Sequence, residues 1–342
     1  MRNFDSRDNH RHSNHRPDPR RSGYSNRPNS QRPPYGRGSS RPPHGSSHHA
    51  GSRNIDETES RFYEGTVIDP SPRIRLEDGS SELTMRAMDL ICPIGMGQRG
   101  LIVAPPGSGK TTFLKHICQA VAKSHPEMKL YCLLIDERPE EVTDFKRSVT
   151  AEVRASSSDQ TYEHHIQTAN DLMRQAFREV SAGANVMVVI DSLTRLSRVH
   201  NADRSSGRTM SGGVDARALE VPRRIFGSAR KIENGGSLSI LATILVETGS
   251  RMDDVIFEEF KGTGNMEIYL SREISSRRIF PAIDISKSGT RKEALLFEPK
   301  EYQQVSVLRR ALAECGKVEA VTALIAQLEK HPTNQELLAG FD

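Results

Sequence analysis

The 342-residue chain carries 48 Lys and Arg against 44 Asp and Glu, a formal charge of +4, and only 35% of its residues are hydrophobic. That length suits one large or two ordinary domains, while the low apolar fraction implies that part of the chain builds no core. No apolar run approaches the ~18 residues that span a bilayer, and the N-terminus has no secretory apolar segment, so a cytoplasmic protein with no membrane partner is expected.

Residues 1–53 hold eleven Arg, no Lys, three Asp, six His and seven Pro. This is the composition of a disordered segment, and its net +8 leaves residues 54–342 at −4. The basicity is therefore local. The predicted division is a disordered Arg/Pro/Ser/Gly/His-rich tail and linker over 1–60, ending in the acidic stretch around "NIDETESR" (54–61), and a folded domain over 61–342. Within the latter, apolar runs alternate with amphipathic stretches of helical length. The predicted strands are "GLIVA" (100–104), "LYCLLI" (130–135), "VMVVI" (186–190) and "LSILATIL" (238–245), each too continuously apolar to have a solvent face. Residues 111–124, 161–183 and 215–235 read as helices, with Pro222 starting or kinking the last. The alternation predicts an α/β fold with a mostly parallel sheet. Cys92, Cys118, Cys132 and Cys315 are too scattered for a zinc site or a disulfide framework and read as reduced, mostly buried thiols.

The stretch "LIVAPPGSGKTTFL" (101–114) joins a strand to a helix through a Pro/Gly turn. Such a turn gathers backbone N–H groups around one point, with the positive end of a helix dipole behind them, and so forms an anion cradle. The pattern is that of a Walker A loop, G-x-x-x-x-G-K-[ST], with Ala104 in the first Gly position. Pro105, Pro106, Gly107, Ser108 and Gly109 would wrap the phosphates, Lys110 would open the helix and reach the terminal ones, Thr111 would ligate Mg2+, and Thr112 belongs with them to the nucleotide-binding set. Asp191 ends the strand "VMVVID" and fits the acid that shares the metal. "LLIDERPEE" (133–141) offers Asp136 and Glu137 at another strand end. A carboxylate there could take a proton from an attacking water, and on pattern alone a solvated acidic turn reads equally well.

Taken with these motifs, "PIGMGQRGLIVAPPGSGKT", "IDSLTRLSR", "SGGVDARAL", "TGSRMDDVIFEEFKGTGNMEIYLSR" and "RRIFPAIDISKSGTRKE" resemble, in the same order, the motor domain of the bacterial transcription termination factor Rho family over roughly residues 61–342. The resemblance implies a RecA-like P-loop ATPase: a homohexameric ring that uses ATP and Mg2+ to pull single-stranded RNA through a central pore and dismantles RNA polymerase elongation complexes. It assigns Glu137 to water activation and Arg291 to an arginine finger that enters the neighbouring subunit's ATP site. It places Phe280 against adenine, although a core phenylalanine fits the pattern equally, and it puts Arg138, Arg195 and Arg278 near the nucleotide or the subunit interface. Arg208 in "DRSSGRTMSGGVD" (203–215) and Arg251 in "ETGSRMDD" (247–254) stand where the family carries RNA-gripping lysines. Charge is kept, but Arg is broader and more multidentate than Lys.

The family's usual RNA-capturing domain ahead of the motor has no counterpart in these residues. Its place is taken by "SNRPNSQRPPYGRGSSRPPHG" (25–45), where Arg interleaves with Gly around Tyr35. Segments of this kind bind RNA by charge and stacking, or serve as passive linkers. A second functional reading is an RNA-binding assembly protein that uses ATP only as a switch for ring closure. A third, a rotary-ATPase-type subunit, is disfavoured by the two Arg-bearing loops.

Overall fold

The computed structural model describes residues 57–77, 82–202, 211–215 and 217–341. The tail through residue 56, and with it the expectation of disorder there, lies outside the described residues, as does Arg208. In chain order the first elements are helix α1 (Glu57–Glu64), strands β1 (Val67–Ile68) and β2 (Arg73–Ile74), helix α2 (Leu83–Ile91), and strands β3 (Ile94–Gly95) and β4 (Arg99–Ala104). Then α3 (Lys110–Ser124), β5 (Lys129–Glu137), α4 (Pro139–Ser148), β6 (Glu152–Ser157), α5 (Tyr162–Ser181), β7 (Asn185–Asp191) and α6 (Leu193–Ala202) alternate. Beyond residue 211 come α7 (Glu220–Gly227), β8 (Arg230–Ile232), β9 (Ser237–Leu245), α8 (Arg251–Phe260), β10 (Met266–Tyr269), α9 (Arg272–Ser276) and β11 (Gly289–Thr290). The C-terminal helices are α10 (Pro299–Ala313), α11 (Lys317–Lys330) and α12 (Asn334–Leu338).

All four predicted strands are present as β4, β5, β7 and β9, and two predicted helices as α3 and α5. The helix expected over 215–235 is corrected: only Glu220–Gly227 is helical, and Arg230–Ile232 is a strand. Pro222 sits in the first turn of α7, where its missing N–H costs nothing. The "NGG" at 234–236 then turns the chain, with Asn234 at φ 54°, into an antiparallel pairing of β8 with β9.

The sheet runs β11-β10-β4-β9-β7-β5-β6, with β8 pairing β9 and β1 pairing β8. Strands β10, β4, β9, β7, β5 and β6 are mutually parallel. Alternate residues feed two cores. Ile102, Ala104, Met187 and Val189 pack with α2, α3 and the C-terminal helices, whereas Leu101, Val103, Val188 and Ile190 pack with α1, α5, α6, α7 and α8. A parallel sheet covered on both faces leaves its chemistry to the loops at the C-terminal strand ends. β4 and β7 are separated by β9, so Ala104, Leu245, Asp191 and Glu137 line one edge.

Helix α1 begins inside the stretch read as linker and is tied down chiefly by Phe62, with Tyr63 packing beside it on Phe177 and Arg230. Phe62 is fully buried, stacks on Phe177 at 4.4 Å between centroids and lies 4.7 Å under the Arg230 guanidinium. In chemical denaturation at pH 7, Phe62→Ala should lose about 3–5 kcal/mol and Phe62→Leu under about 1.5 kcal/mol. A loss below about 1 kcal/mol for the alanine variant would show that α1 is not part of the cooperative core.

Candidate active site

The turn after β4 is built to hold an anion. Gly107 and Gly109 have φ of 76° and 87°, a left-handed region that residues with a β-carbon rarely adopt. Gly109 is the N-cap of α3 and supplies no side-chain acceptor, so the first-turn N–H groups and the helix dipole are left to whatever rests on the loop. The Ser108 side chain is buried, and its hydroxyl has no hydrogen-bond partner. Pro105 is buried while Pro106 and Gly107 are exposed, and Thr111 and Thr112 follow Lys110 in the first turn of α3.

Lys110 reaches from this helix to the ends of two other strands. Its ammonium pairs closely with Asp191 and stands 3.4 Å from Glu137 Oε1. Burial opposes its charge, but Asp191 and Glu137 outweigh burial and raise its pKa above the ordinary lysine value. Glu137 is 4% exposed, and burial together with the neighbouring Asp191 pushes its carboxyl up to about 7, against the pull of Lys110 and Arg195. Arg195, on α6, donates from Nη2 to Glu137 Oε2 at 3.2 Å and from Nη1 to the Asp136 carbonyl. The solvated-turn reading of Glu137 therefore falls. Its position follows from a bulge: the register of β5 against β6 shifts between Ile135 and Glu137, and Asp136 takes φ 58°.

Two residues that sequence reasoning passed over tie the neighbouring element ends at the site together, one of them directly to Asp191. Thr243 on β9 is fully buried and its hydroxyl lies 2.9 Å from Asp191 Oδ1, while Thr194 Oγ1 accepts the Leu245 N–H at 2.8 Å. A lone threonine inside the apolar run "LSILATIL" was the available signal for the first. Phe280 is 49% exposed and its ring lies against Gly109, which removes the core alternative. Arg138 and Arg278 are exposed, Arg278 at φ 60°. Arg251 opens α8 at the same sheet edge as the phosphate loop, and Gly212 packs against its backbone.

Arg291 is not brought to this cluster. Its N–H donates to the Asn265 carbonyl, and the Asn265 N–H to that of Arg99, which places it at the start of β4. The phosphate loop leaves the other end of that strand, about 17 Å away at ~3.3 Å per residue.

Because Glu137 has a raised folded pKa, the stability it contributes is full below its unfolded value and is lost as pH rises toward 7. Glu137→Gln does not titrate, so its stability relative to wild type should climb between pH 5 and 7 by at most about 3 kcal/mol and level off above pH 8. Thermal and denaturant melts across this range check it; a pH-independent difference would contradict the cluster's electrostatics.

The ATP synthase alpha/beta family, nucleotide-binding domain, matches residues 84–290. Transcription termination factor Rho of Aquifex aeolicus is 52% identical over 285 residues, covering 82% of this chain and 65% of that protein. The chain thus spans just under two thirds of that relative. Rho of Haemophilus influenzae is 49% identical over 286 residues, covering 82% of this chain and 68% of its own. A type III secretion system ATPase of pathogenic bacteria shares the fold, with a TM-score of 0.66 at 23% identity over 80% of this chain and 85% of that one. No helix among the described residues is long and apolar enough to cross a membrane. Residues 84–290 thus carry a nucleotide-binding domain of this ATPase class, and identity near one half over four fifths of the chain places it more narrowly: it belongs to the transcription termination factor Rho family.

Proposed function

We propose that the chain is the motor of an ATP-driven RNA translocase that promotes transcription termination as a homohexameric ring. The observation that carries this reading is the convergence of Lys110, Glu137, Asp191 and Arg195 beside an uncapped helix N-terminus at the sheet's C-terminal edge. The phosphate loop would bind the ATP phosphates and Lys110 would neutralise their charge. Glu137, with a pKa near neutrality, would orient the attacking water and take its proton. The Thr111 hydroxyl and Asp191 carboxylate are the hard oxygen donors that suit Mg2+, which completes its shell with phosphate and water. When bound, that ion would neutralise charge on the phosphates.

Arg291 lies far from its own phosphate loop, which favours a role as the arginine finger of a neighbouring subunit's site. Arg251 and Arg208 would line the pore and hold the RNA backbone by charge, with little reading of bases. The contact of Gly212 with the start of α8 supports a joint action of their two loops. The Arg-rich tail would add electrostatic RNA capture, and the RNA polymerase elongation complex is the target of the pulling.

Glu137→Gln should bind Mg-ATP within about threefold of wild type while RNA-stimulated hydrolysis falls by about 10²–10⁴. Lys110→Ala should lose nucleotide binding itself. Equal loss of binding in both variants would make Glu137 structural and remove its catalytic assignment.

A further inference from the structure

A cavity of about 450 Å³ adjoins the phosphate loop. One wall is the face of α3 that carries Thr112 and His116, four residues or about 6 Å farther along the helix. Another wall holds the exposed ring of Phe280, 3.4 Å from where a β-carbon on Gly109 would stand. A half-exposed aromatic beside a phosphate cradle is a stacking surface for a base. Leu83, Leu270 and Ala282 make the remaining lining largely apolar.

The polar groups of this lining include Glu82 and His116. Glu82 is fixed as the cap of α2: Oε1 accepts from the Thr84 N–H at 2.9 Å and Oε2 from the Met85 N–H at 3.0 Å. His116 Nδ1 lies 3.2 Å from Glu82 Oε1, near enough to pair but out of line for a full hydrogen bond. A carboxylate only accepts, so it favours the imidazole tautomer with its proton on Nδ1. That tautomer presents Nε2 as an acceptor.

We infer that His116, oriented by Glu82, reads the edge of the nucleotide base and selects the exocyclic amino group of adenine over the keto oxygen of a 6-oxopurine. An amino N–H can donate to Nε2; a keto oxygen sets acceptor against acceptor and leaves both without a partner in each other. This specificity rests on the phosphate loop being a nucleotide site and on Phe280 being its base platform.

The test is displacement of a ribose-labelled fluorescent ADP from the full chain, with Mg2+ at pH 8, by ATP and by inosine triphosphate. The wild type should bind ATP about tenfold more tightly than inosine triphosphate. In His116→Leu the ratio should fall to about one to two, because ATP loses its acceptor and inosine triphosphate loses the opposing one, and His116→Gln, which retains an acceptor, should restore part of it. Equal wild-type affinities, or a ratio unchanged in His116→Leu, would overturn the base reading while leaving the nucleotide site intact. Failure of the labelled ADP to bind at all would overturn the nucleotide site beneath it.

Discussion

Two buried carboxylates, Glu137 and Asp191, meet at one sheet edge, and much of the site's architecture follows from keeping them there. Like charges at this depth repel each other and lose hydration, so each needs a cation or a proton. Lys110 spans both acids, Arg195 covers Glu137, and the Glu137 carboxyl is pushed up to about 7, so that it holds or releases a proton near neutrality. A cluster balanced in this way responds to incoming phosphate charge, because Lys110 is the one cation of the set that also belongs to the phosphate loop.

Sheet order is what brings the parts together. β9 lies between the strands of the phosphate loop and of Asp191, and it contributes Thr243 to Asp191 from one side while its C-terminal end carries the chain to Arg251. On the proposed reading, this strand is one physical link between the metal-binding acid and the RNA-facing loop. The opposite end of the sheet carries Arg291. On the proposed reading, an acid and phosphate site at one end of the strands and Arg291 at the other suit a head-to-tail ring.

Much of this was legible from local pattern. The four central strands announced themselves because burial on both faces demands unbroken apolar runs, and the phosphate loop because its glycines, lysine and threonine are contiguous. What was illegible depended on pairing across the sheet. Arg195 meets Glu137 only because β5 and β7 are neighbours, and the Glu82–His116 pair joins α2 to α3. The hairpin turn at Asn234 was overrun by a helix reading that followed the amphipathic spacing before it. Family resemblance, rather than spacing, singled out Arg291 and Phe280; the structure then gave Phe280 an exposed ring and Arg291 a place beyond the reach of its own site.

The central claim is that one chain's acid site is completed by the next chain's Arg291. Mixing Arg291→Ala subunits into wild-type protein and measuring RNA-stimulated ATP hydrolysis against mutant fraction tests it most directly. Activity should fall more steeply than the wild-type fraction, because each mutant subunit disables a neighbour's site and interrupts the ring. A loss strictly proportional to the mutant fraction would contradict the account.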